Sequence, residues 1–97
     1  MRVAQQIESR LRQSLAPLRL DLHDESSRHA GHAGARPEGE SHFRLLIVAR
    51  AFEGISRVER QRMVYRALGD LMSSDVHALA IMALTPAEAA ERLSSDP

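Results

Sequence analysis

The period of the apolar residues changes along this chain, and that change confines the fold to a mixture of helices and strands. Val3, Ile7, Leu11 and Leu15 recur every four positions between Gln, Glu, Ser and Arg, one stripe of an amphipathic helix. Pro17 stops it. Leu18, Leu20 and Leu22 then alternate with Arg19, Asp21 and His23, the period of a half-buried strand with His23 on its polar face. From His42 to Val48 the chain becomes apolar and β-branched, with Phe43, Leu45, Ile47 and Ala49 on one face, and a second strand is expected there.

Between these strands, residues 24–39 carry Gly31, Gly34, Pro37 and Gly39 and no apolar periodicity. They read as a long loop, and long loops in small domains are enriched in function. Phe52-Glu-Gly-Ile55 reads as a turn in which Gly54 supplies a special backbone angle. Ser56 with Glu59 forms a capping box, so a helix starts at Arg57. On it Val58, Val64, Tyr65, Leu68, Leu71 and Met72 share an arc of roughly 140°, opposite Glu59, Arg62, Arg66 and Asp70. Residues 76–84 are apolar on both faces, which suggests a central strand opened by His77. Thr85-Pro86 with Glu88 makes a second capping box, and a short helix follows to about Leu93, with 94–97 a frayed tail.

The resulting order is αββαβα, or αββααβα if residues 51–56 form a helical turn of their own. That is an α+β domain whose three-stranded mixed sheet is covered by helices. Ninety-seven residues make one domain, 1–97, with a single modest core. With three aromatic residues in all, that core must rest on Leu, Ile, Val, Ala and Met.

Thirteen basic residues, all arginine, balance thirteen acids; a nucleic-acid binder is more often basic overall. The lack of cysteine excludes a disulfide framework and fits a reducing compartment. No apolar run approaches the roughly 20 residues that span a bilayer, and no signal-peptide pattern opens the sequence. A cytoplasmic location without membrane attachment is expected. Without thiols, any metal or proton chemistry falls to histidine. Four of the five histidines, His23, His29, His32 and His42, lie in or beside the loop, and His77 stands apart.

Seven segments in register then resemble the BolA family: Asp24-Glu-Ser26, His29, Gly39-Glu-Ser-His-Phe43, Phe52-Glu-Gly54, Arg60-x-Arg62-x-Val64-Tyr65, Val76-His-Ala-Leu79 and Thr85-Pro86. The resemblance runs from about Val3 to Ala90. It implies a KH-like fold of the second topological type, in agreement with the element order. It also implies pairing with a monothiol glutaredoxin and a shared [2Fe-2S] cluster, in iron-sulfur trafficking and iron homeostasis. Bacterial members are also described as transcription regulators of morphology and stress response. The chain departs from the family in a longer loop between the first two strands and in Gln61, where many members have histidine.

The family's C-terminal histidine maps onto His77, which the resemblance makes a cluster ligand. The second ligand is expected from the loop: His29 matches the histidine after the Glu-Ser motif, while His32 lies closer to the usual distance before the Ser-His-Phe strand start. The metal ligands expected are therefore His77 and His29, with His32 the alternative cofactor-binding residue. A glutaredoxin with glutathione would supply two thiolates, leaving two positions for this chain. Imidazole ligands raise the cluster potential, as in Rieske centres, and make binding proton-sensitive. His42, at a strand entrance, is assigned to local hydrogen bonding or loop anchoring.

Such a protein is an adaptor and not an enzyme, for no nucleophile, base and orienter set is present. Free, it is expected to be a monomer or weak dimer. The alternative is a DNA-binding regulator using Arg57, Arg60, Arg62 and Arg66. Against it, Glu59 and Asp70 sit at ion-pair spacing from Arg62 and Arg66, and no Gly-x-x-Gly clamp occurs between the expected helices.

Overall fold

The proline break at position 17 and the period changes reappear as element boundaries in the computed structural model, which describes residues 3–25, 42–76 and 78–94. Helix α1 (Val3–Leu15) is followed by β1 (Arg19–Asp24), β2 (His42–Val48), a 3-10 turn (Arg50–Phe52), α2 (Arg57–Leu68), α3 (Leu71–Ser74), β3 (Ala78–Leu84) and α4 (Pro86–Ser94). The order αββααβα is thus correct. The additional α-helix is α3, while of residues 51–56 only Ala51 and Phe52 belong to a helical turn, the 3-10 turn Arg50–Phe52. Gly69, at φ 55°, ends α2 and redirects the chain, so the helix expected to run on to Met72 divides there.

The sheet order is β1-β2-β3, antiparallel then parallel. This corrects the expectation for residues 76–84: β2 is the central strand and β3 lies at an edge. Leu79, Ile81 and Ala83 of β3 face the helices, while Ala78, Ala80 and Met82 are exposed on the other side. Apolar residues on both faces came from an open sheet face, not from double coverage.

Phe43, Leu45 and Ile47 of β2 meet Ile7 and Leu11 of α1 and Val64 and Leu68 of α2 in one core, closed by Phe52. The expected inward stripe of α2 is corrected in phase. Val58 and Tyr65 are 61% and 41% exposed, whereas Arg60 is buried. Arg60 lies across the N-terminal end of α4: its Nε donates to Ile55 O at 2.8 Å and its Nη1 to Ala83 O at 3.0 Å. It also makes a two-pronged pair with the Glu88 carboxylate at 2.6 and 3.3 Å. Every buried side-chain nitrogen and oxygen among the described residues has a partner, as a buried guanidinium requires.

The second capping box closes reciprocally. Glu88 N donates to Thr85 Oγ1 at 3.2 Å, and Thr85 N donates to Glu88 Oε1 at 2.9 Å. The Arg60 bonds, with the Thr85 amide, hold the Glu88 carboxyl down at about 2. In the first box only the serine half forms: Glu59 N donates to Ser56 Oγ at 3.2 Å, but the Glu59 carboxylate turns to Arg66 and Arg62. Gly54 takes φ 74°, as the turn requires. Gln61 Nε2 donates to Ile81 O at 3.3 Å, so the residue that departs from the family pattern covers the edge of β3.

Candidate functional site

Ladder geometry gathers three chain positions at one end of the sheet. Glu25 N donates to His42 O at 2.7 Å, so β1 and β2 stay paired up to the residues that lead into segment 26–41. On the other side of β2, His42 is the register partner of Ala78, the residue that follows His77 in the chain. Both ends of the histidine-bearing segment and the entrance to β3 therefore meet at the same sheet end. His29, His32 and His77, the three expected ligand residues, themselves lie outside the described residues.

The surface there is an open cleft of about 370 Å³ lined by Glu25, His42, Phe43, Arg44, Ala78, Leu79 and Ala80. Ala78 and Ala80 keep its floor low. His42 is half-buried, and it shares a strand face with Arg44 by the two-residue period. Arg44 Nη2 donates to Glu25 Oε1 at 3.3 Å, an ion pair across the mouth of the segment. His23 is exposed and stands opposite Arg44 in the ladder, on the polar face expected for it. Among the described residues no group of three or more His, Asp or Glu is arranged to hold a metal ion. Among the described residues the cleft lining offers the His42 imidazole, the Glu25 carboxylate paired with the Arg44 guanidinium, and an accessible, partly apolar floor.

Sequence reasoning missed Glu25 and Arg44 as parts of this end. The signal for Arg44 was present: it is the one charged residue within an otherwise apolar strand, two positions from His42. A second cleft, also about 370 Å³, continues along the open sheet face over Leu46, Ala80 and Met82.

The arginines of α2 divide. Arg60 is internal, while Arg57, Arg62 and Arg66 are exposed. Glu59 pairs with Arg66 at 2.9 Å and with Arg62 at 3.5 Å, and the bond from Arg66 foremost holds its carboxyl below the usual range. Much of the charge on that face is thereby balanced within the helix. No helix among the described residues is long and apolar enough to cross a membrane.

Comparison with known proteins places this geometry. A family model described as BolA-like protein matches residues 11–88. SufE-like protein 1 of Arabidopsis thaliana is 46% identical over 86 residues, 84% of this chain but 23% of its own length. BolA-like protein 1 of Mus musculus is 45% identical over 82 residues, 84% of this chain and 57% of its own length. The chain thus spans less than two thirds of either relative. The solution structure of BolA1 protein from Mus musculus matches with a TM-score of 0.78 and 42% identity, covering 97% of this chain and 73% of that one. The DNA-binding transcriptional regulator BolA of Escherichia coli (strain K12) is 39% identical over 85 residues, 88% of this chain and 77% of its own length. The α+β architecture and these matches agree, and the chain belongs to the BolA-like family.

Proposed function

We propose that this protein is an adaptor that binds a monothiol glutaredoxin and co-ligates a bridging [2Fe-2S] cluster as cargo, in iron-sulfur trafficking and iron homeostasis in the cytoplasm. The observation that carries the reading is the convergence at one sheet end: Glu25 bonded to His42, and His42 in register with Ala78. Residues joined to that end through a short stretch of chain include His77, the first proposed ligand, and His29 or His32, the second. The chain has no thiolate of its own, so the proposed glutaredoxin and its glutathione contribute the sulfur ligands. The cluster brings redox-active iron and acid-labile sulfide. This chain contributes imidazole donors, which must be neutral to ligate, and the low alanine floor that lets a partner approach.

Mixing the protein with a monothiol glutaredoxin, glutathione, ferrous iron and sulfide under anaerobic conditions tests the reading. A one-to-one complex with a visible circular dichroism spectrum different from that of the glutaredoxin cluster alone is expected. A glutaredoxin that keeps its own spectrum, with this protein eluting apart, contradicts it.

A second reading is direct DNA binding, favoured by exposed Arg57, Arg62 and Arg66 on one helix and by the relative described as a DNA-binding regulator. Titration onto duplex DNA at stepped salt separates the readings. Three phosphate contacts would give a slope of log affinity on log salt near −2.7, about 0.9 per phosphate. The Glu59 pairs argue for a smaller one.

A further inference from the structure

Without cysteine, all the sulfur of this chain is thioether, in Met1, Met63, Met72 and Met82. Met1 lies outside the described residues, and the fold treats the other three unequally. Met63 on α2 and Met72 on α3 are half-buried and pack against the core. Met82 on β3 is 46% exposed. Among the described residues it is the only large hydrophobic side chain of the three strands that is exposed.

The cause is local. Ala80 precedes Met82 by two positions on the same strand face, and the register partner of Met82 on β2 is the half-buried Leu46. A residue that stops at Cβ shields little of the longer side chain beside it. Met82 also lines two clefts at once. One, of about 370 Å³, covers the open sheet face with Leu46 and Ala80; the other, of about 210 Å³, lies at the β3 edge with Arg57, Gln61 and Arg92. A small polar reagent therefore reaches the thioether from two sides.

We propose that Met82 is a reversible oxidation site, its thioether taking one oxygen atom from a hydroperoxide. A sulfur lone pair attacks the terminal peroxide oxygen, so that an S–O bond forms as the O–O bond breaks. Sulfur is oxidised by two electrons, and the peroxide is reduced to water or an alcohol, the leaving oxygen taking the proton of the attacked hydroxyl. The exposed Arg57 guanidinium, lining the smaller cleft, is a donor for the new sulfoxide oxygen. The consequence differs by residue. A sulfoxide at Met63 or Met72 would set a polar group against the core, whereas at Met82 it enters solvent and turns the open sheet face from apolar to polar. Oxidation at Met82 thus changes the surface and spares the fold.

Timed exposure of the protein to dilute hydrogen peroxide, with peptide mapping by mass spectrometry, tests it. Met82 should oxidise at least about fivefold faster than Met63 or Met72, and the three rates should converge in concentrated urea, where burial is lost. Protein oxidised at Met82 should melt within about 2 °C of the untreated protein. Methionine sulfoxide reductases, one for each sulfoxide epimer, should restore the thioether. The oxidised protein should also leave a hydrophobic-interaction column earlier, and Met82→Leu, which keeps apolar bulk without an oxidisable sulfur, should lose that shift. Equal rates in the folded protein, a rate difference that persists in urea, a larger fall in melting temperature on Met82 oxidation, a sulfoxide that the reductases leave intact, or a column shift retained in Met82→Leu overturns the proposal.

Discussion

Ala16 takes a φ of 46° just after α1 and before Pro17, a left-handed conformation that a Cβ disfavours by about 1–2 kcal/mol. Its side chain is exposed, so it buries nothing in return. Ala16→Gly is expected to raise unfolding free energy by about 0.5–1 kcal/mol after the gain in unfolded-chain entropy is subtracted, measured by urea denaturation. A loss of stability would contradict this account of the helix end. Arg60 is the opposite case, a charge placed where a hydrophobic residue would ordinarily stand. Arg60→Ala removes the partner of Glu88 and strips donors from Ile55 O and Ala83 O. The expected cost is about 3 kcal/mol, seen in the same denaturation assay; a change under about 1 kcal/mol would mean that water replaces the guanidinium. Nothing in a hydropathy pattern marks Arg60 as internal. Val58 and Tyr65, read as core because they are apolar, are outside because the buried face of α2 runs through Arg60, Val64 and Leu68. The legible residues were those with a backbone reason: Gly54 at its positive φ, Ser56 and Thr85 as caps.

Elements were legible where local chemistry decides them. Helix α1, strand β2 and the start of α4 each have a local signal: a four-residue period, an apolar β-branched run, and a capping box with proline at the first helical position. The division of α2 from α3 turned on Gly69, which the apolar arc passed over. The edge position of β3 was not legible, because a strand with Ala78, Ala80 and Met82 on its open face has the same composition as one covered on both sides. At this scale the α4 box makes a pH prediction. The Glu88 carboxyl sits at about 2 against an ordinary 4.5, so its charge stabilises the fold fully above about 4.5, and the contribution fades as pH falls toward 2. Glu59 and Asp70, lowered by bonds from Arg66 and Arg10 respectively, act in the same direction. Glu88→Gln keeps a carbonyl acceptor for the cap but removes the charge. Its stability deficit, measured by denaturant titration, is expected to be largest near neutrality and to shrink between about pH 4.5 and 2. A deficit that stays constant over that range would show that the pair with Arg60 contributes through shape alone.

For the whole molecule, the parallel pairing of β2 with β3 brings residues some 36 positions apart, His42 and Ala78, to one sheet end. That long-range pairing is what composition and periodicity could not supply. The family resemblance implies ligand roles for His77 and His29, and the fold brings together Glu25, His42 and Ala78, described residues near them in the chain. The measurement that bears most directly on the adaptor reading compares wild type with His77→Ala, each reconstituted with the same monothiol glutaredoxin, glutathione, iron and sulfide, after far-ultraviolet circular dichroism has shown equal folding. Loss of an imidazole ligand is expected to alter the visible circular dichroism of the shared cluster and shorten its lifetime about tenfold or more. A spectrum and lifetime identical to wild type would contradict the assignment of His77 as a ligand.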